Sequence, residues 1–436
     1  KKVQQAISNL IKIPGKQIGM IELSPDIDIE TVTEIFIRIN SKGVVLSQAD
    51  FAMSKIASNS EYEGNTLRKA IDYFCHLAVA PEVYKHIVDN DQDFTQTEFF
   101  QKMAWLRNET EDLYDPHYTD LIRVAFTVQF NRGRLSDLVS LLSGRNFETR
   151  KYESEIAERS FAQLREGVFA FINESNFNRF VMIIKSAGFI SPKMIRSQNA
   201  LNFAYIVYLK LRSQKVADTQ IEHYVRRWFV YSILTGRYSG SPESVFDFDI
   251  KQIDNRPMGD YLAEKEVGEL SDAFWTASLP QRMDTSVASS PMFHVFLATQ
   301  VRAQDKGFLS EAILVRDLIV HKGDIHHIFP REFLKRHGLE RRHYNQIANY
   351  VYMQSEINIR VGSKSPKDYL LDVKAAMATG EHSLSGIASP KALQTNLRQH
   401  AIPTTIDQMD FDDYFDFLDQ RRLLMAEKIR DYYLRL

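Results

Sequence analysis

The apolar positions of this 436-residue chain recur chiefly with the period of a helix. Between residues 60 and 235 that period predicts a run of helices. Over 201–211 the apolar residues cover most of the helix circumference, which predicts a helix buried on all sides. Ile221, Tyr224, Val225, Trp228 and Phe229 make one stripe, with Arg226 and Arg227 towards the opposite face. Tyr414, Phe417, Leu418, Leu424, Met425 and Ile429 stripe a C-terminal helix that Arg421 interrupts. Nearer the start, Val32, Ile35, Phe36 and Ile39 sit at helical spacing, and Ser47, three residues before Asp50, is a predicted N-cap. Strand character is read in one short piece, 18–23, closed by Ser24-Pro25. Residues 243–285 read as a connecting region that includes a mixed helix over 258–275.

Composition adjusts this picture in a few places. Hydrophobic residues make up 44% of the chain, while Gly (18) and Pro (13) are scarce, which favours helices over a turn-rich β-architecture. The length suits two to three domains, with a boundary near 240–260. The net charge of −2 excludes a uniformly basic nucleic-acid coat, so any nucleic-acid contact must come from a local basic surface. The one cysteine, Cys75, lies in an apolar stretch and excludes an intramolecular disulfide, which fits the cytoplasm. No 18-residue apolar run is present, so no membrane association is expected.

The residues that carry chemistry are Asp324-Ile-His-His-Ile-Phe-Pro330, followed by Asn349 and Asn358. Phosphodiester hydrolysis needs a water made nucleophilic near neutral pH and a cation to neutralise charge on the phosphate. An imidazole suits the first task. Imidazole nitrogen and amide oxygen suit a divalent cation held with open positions. Adjacent residues on a strand point to opposite faces, so one histidine can hold metal while its neighbour reaches the phosphate. Between His321 and His343 there are six Lys or Arg against three Asp or Glu, and five of the chain's 12 histidines. Such a local positive field suits a polyanion.

In order and spacing these residues resemble the HNH (ββα-metal) nuclease motif. The resemblance implies His327 as general base, His326 and Asn358 as metal ligands, and Asn349 as the member of the catalytic set that ties the loop together by side-chain hydrogen bonds. Asn345 is a rival for that middle role and Asp324 a rival ligand. Lys364, Pro366 and Tyr369 continue the resemblance as a Gly-x-Lys-x-Pro-x-x-Tyr run that braces the site. A second segment, Ile35-Phe-Ile-Arg-Ile-Asn-Ser-Lys-Gly-Val-Val-Leu-Ser47, resembles the DUF262 domain, a ParB-like fold. That domain and a C-terminal DUF1524 nuclease occur together in modification-dependent (type IV) restriction endonucleases of the GmrSD kind. The nucleotide-handling Asp-Gly-Gln-Gln-Arg-like segment of that family is not found here, so no NTP chemistry by the family route is expected.

The resemblance implies a mainly α protein with a small α+β part. Its units are a remnant of the DUF262 domain over 1–58, a helical domain over 59–250, and an HNH nuclease domain with a C-terminal helix over 251–436. It implies a DNA endonuclease that uses a divalent metal, Mg²⁺ or Mn²⁺, against foreign double-stranded DNA, as a homo-oligomer or with other defence subunits. Arg226, Arg227, Arg237, Lys322 and Arg331 are the expected phosphate contacts, since guanidinium forks and ammonium groups hold phosphates. Two other readings stay open at this point: a non-cleaving helical scaffold of a defence complex, and an HNH nuclease directed at RNA.

Overall fold

The computed structural model describes residues 2–16, 20, 22–24, 27, 32, 35, 47–321, 323, 325–379 and 386–436. The chain is mainly helical, with one two-stranded sheet among the described residues. The predicted strand over 18–23 and the helical stripe over 32–39 fall largely outside those residues, as does most of the segment ending at Ser47. At Ser47 itself the expected cap is present. Its hydroxyl accepts from Asp50 N, and the Asp50 carboxylate accepts from Ser47 N.

The helical body is built around Gln198–Ser213, in which every residue from Ala200 to Leu211 is buried. That helix packs on Tyr118–Phe130 and on Asp218–Thr235, while Ser154–Ile172 packs along Tyr118–Phe130 and also meets the central helix, Tyr205 donating its hydroxyl to Phe171 O at 2.8 Å. Its all-round apolar surface is what allows contact on several faces. The 218–235 helix also packs on Met258–Glu269 and on Pro291–Arg302. The region expected to be a connection is instead regular helix over Pro242–Asn255, because Phe246, Asp249, Ile250 and Ile253 recur at helical spacing and are all buried.

One continuous apolar core runs from Ala49 to Leu436. The 21-residue helix Tyr414–Leu434 crosses it and packs on Pro291–Arg302 and on the turn Ile347–Asn349 that precedes the second strand. Near its C-terminal end, the hydroxyl of Tyr432 donates to Ala187 O at 2.5 Å and that of Tyr433 to Glu266 Oε1 at 2.6 Å. The helix is thereby tied at one end to the helical body and at the other to the segment carrying the sheet.

Candidate active site

The sheet pairs β1 (Ile325–His327) with β2 (Tyr350–Tyr352) in antiparallel register, His326 opposite Val351 and His327 opposite Tyr350. The 21 residues between His327 and Asn349 hold the helices Arg331–Arg336 and Arg341–Tyr344, so their length reflects folded structure between the strands. Beyond β2 the helix Ser355–Val361 carries Asn358 at its fourth position. It stops at Gly362, whose φ of +62° suits a residue without a Cβ.

Asn349 is fully buried. Its amide oxygen accepts from Phe329 N at 2.8 Å, and its amide nitrogen donates to Phe329 O at 3.1 Å and Tyr344 O at 3.2 Å. The side chain thus pairs with both the N–H and the carbonyl of Phe329, two residues after the histidine pair. Its hydrogen-bonding groups are directed at backbone and not at the cleft. Tyr369 adds a second brace, donating its buried hydroxyl to Ile328 O at 3.1 Å.

His327 lies half-buried, its Nε2 3.0 Å from Asn345 Oδ1. An amide oxygen can only accept, so the imidazole proton sits on Nε2 and the lone pair on Nδ1. The rings of Tyr350 and Tyr344 stand nearly edge-on to it, with centroids 5.2 and 6.3 Å away. Burial pushes the His327 pKa below the ordinary imidazole value. The Asn345 bond opposes this, and the neighbouring Arg331 and His326 add to the lowering.

His326, His327 and Asn358 line a single cleft of about 370 Å³, together with Ile325, Pro330, Arg331, Glu332 and Gly362. Among the described residues no three His, Cys, Asp or Glu side chains gather to hold a metal ion. The cleft instead offers an imidazole and an amide, a donor set that fits two positions on a divalent cation and leaves others open. The carboxylate at the rim, Glu332, is engaged by Arg331 at 3.0 Å and Lys335 at 3.1 Å. Asp324 and Lys322 lie outside the described residues.

The expected phosphate contacts divide sharply. Arg331 is exposed at the cleft. Arg226, Arg227 and Arg237 line no part of it; Arg226 borders a separate groove with Arg179 and Glu222, while Arg227 and Arg237 turn inward. Arg226 donates from Nε to Leu436 O at 3.3 Å and from Nη1 to Ser186 Oγ at 3.2 Å. Arg227 pairs with Glu266 at 2.9 Å beneath the ring of Tyr433. Arg237 forks onto Asp249 at 2.5 and 2.8 Å and also reaches Tyr231 and Tyr261. A guanidinium held this way by a buried carboxylate is a structural crosslink with no fork left for a phosphate. Tyr344 beside the His327 ring has no signal in the sequence, whereas Tyr414 and Arg421, read there as part of a core stripe, reach the segment that precedes β2. The one signal for Arg421 was a cation in the middle of an apolar stripe.

No protein-family model matches the chain, and no solved structure matches it. A stretch of 150 residues, 34% of the chain, is 25% identical to an uncharacterized protein of Methanocaldococcus jannaschii. The match spans 25% of that protein's length.

Proposed function

We propose that this chain is a metal-dependent endonuclease of the HNH type that hydrolyses phosphodiester bonds of double-stranded DNA, in restriction of foreign DNA. The observation that carries this reading is the seating of His327. Its Nε2 is held by an amide oxygen, and it lines one cleft with His326 and Asn358. With the proton on Nε2, Nδ1 is the nitrogen able to take a proton from water. As the water oxygen bonds to phosphorus, the P–O3′ bond breaks and the 3′ oxygen is protonated by solvent. The lowered pKa keeps the base neutral below the ordinary imidazole range.

His326 and Asn358 would hold a divalent cation, which when bound supplies charge neutralisation at the phosphate and the departing oxygen. Arg331 at the rim supplies a guanidinium for an adjacent phosphate. The restriction role rests on the resemblance to modification-dependent endonucleases, and the archaeal relative adds no functional information of its own.

The test is plasmid cleavage with Mg²⁺ or Mn²⁺, on plain and on modified DNA, with and without chelator. Cutting that requires metal and disappears in His327→Ala supports the reading. Equal residual cutting by the wild type and the variant rules out His327 as the base. Absence of cutting on every DNA tested overturns the nuclease assignment.

A further inference from the structure

Arg421 sits in the apolar stripe of the 414–434 helix, beside the buried Phe417, Leu418 and Met425, and is itself fully buried. Among the described residues no carboxylate pairs with it. Its guanidinium meets only backbone: Nη1 donates to Ala348 O at 2.8 Å, and Nε and Nη2 to His400 O at 3.2 and 3.1 Å. A buried cation without an anion is costly, and a leucine or methionine would continue the stripe without that cost. The position therefore calls for an explanation other than stability.

What the guanidinium holds supplies one. Ala348 precedes Asn349, the clamp on the Phe329 peptide. The same helix grips the same segment at two further points. Tyr414 OH donates to His343 O at 2.8 Å, and Arg422 Nη2 to Gln346 Oε1 at 3.3 Å. The three contacts bracket Asn345, whose amide oxygen seats His327. The other acceptor, His400, is rigid in turn. Its Nε2 lies 2.8 Å from Lys306 O, which leaves Nδ1 to accept from Gln300 Nε2 at 3.2 Å. Burial first of all keeps that ring neutral, so it adds no repulsion against Arg421.

We propose that Arg421 is a positioning residue for the reaction assigned to the His cleft, holding the 343–349 segment so that Asn345 presents its oxygen to His327. This rests on the nuclease reading above. The 414–434 helix then acts as a splint from the helical body to the active site, and correct placement of the base depends on it.

The test uses the full chain as Arg421→Met, Arg421→Lys and Tyr414→Phe. Steady-state cleavage of duplex DNA with Mg²⁺ is measured beside hydrogen–deuterium exchange. Arg421→Met is expected to lower kcat about tenfold while KM stays within about twofold, as displacement of a positioned base should. Exchange should quicken in 325–330 and 343–352 and stay unchanged in 198–235. Arg421→Lys, which keeps a charged donor, should fall between. Should Arg421→Met fail to fold, Tyr414→Phe removes one grip from the same segment and carries the comparison. Wild-type cutting with unchanged kcat in the folded variants, or with exchange rising equally across the chain, overturns the splint. A wild type that cuts nothing overturns the nuclease reading instead, whatever the exchange pattern.

Discussion

The side chain of Asn349 closes a two-bonded ring on the peptide of Phe329, accepting from its N–H at 2.8 Å and donating to its carbonyl at 3.1 Å. Phe329 is fully buried, and among the described residues these two backbone groups find their partners in the asparagine amide. Asn349→Ala strands a donor and an acceptor in the core and also removes the bond to Tyr344 O. A loss of about 2–4 kcal/mol in unfolding free energy is expected. Urea denaturation measures it. A loss under half a kcal/mol would mean that water replaces the amide and that the clamp is dispensable.

Asn345 has a different part, because its oxygen touches His327. Asn345→Ala leaves the fold in place and frees the imidazole to rotate and change tautomer. On the proposed reaction kcat should drop by about 10–100-fold with little change in melting temperature. The pH profile offers a separate check. Burial, with Arg331 and His326 beside it, lowers the His327 pKa. The base is active when neutral, so the acid limb of kcat should lie below the ordinary imidazole midpoint. A limb above that midpoint would assign the base to another group.

Arg331 and Arg237 should separate cleanly. Arg331 is exposed at the cleft rim, while Arg237 is forked onto the fully buried Asp249. Arg331→Ala is expected to weaken DNA binding uniformly across sequences and to reduce the salt slope by about 1, with no change in melting temperature. Arg237→Ala should leave the salt slope alone and destabilise the fold by about 3–5 kcal/mol, because it abandons a buried carboxylate. Fluorescence anisotropy across a salt series, paired with thermal melts, reads both. A reversed pattern would place the nucleic-acid surface on the helical body.

Two buried histidines tie stability to pH. Burial lowers the pKa of His294 to about 4 and that of His400 to about 3. Both are neutral in the folded chain, whereas an unfolded imidazole takes up a proton near 6.5. Below that value the unfolded state binds more protons, so stability is lost as the pH falls from about 6.5 through 4. Urea midpoints measured between pH 7 and pH 4 should decline. His294→Gln, which cannot take a proton, should flatten the decline. An unchanged slope in that variant would assign the acid sensitivity elsewhere.

The sequence by itself determined the helical character of this protein and the order of the pieces around the histidines. Helical spacing marked the buried 198–213 helix, the 218–235 helix and the C-terminal helix. Ser47 and Asp50 marked a helix start that the structure closes with a capping box. These features are local: a repeat of 3.6 residues or a cap three residues from its partner needs no knowledge of distant chain. The same local rule was misled over 242–255, where charged residues between the apolar ones gave the look of a linker. Tertiary structure alone decided where the long polar side chains point. Arg227 and Arg237 have the chemistry of phosphate ligands, but Glu266 and Asp249 lie 39 and 12 residues further along the chain and draw them inward. Asn345 rather than Asn349 meets His327 because the turn 347–349 buries the later amide beneath Phe329. Arg421 is drawn into the core by two backbone carbonyls. Which partner a flexible cation or amide finds depends on contacts between segments far apart in sequence, and that information enters only when the chain is folded.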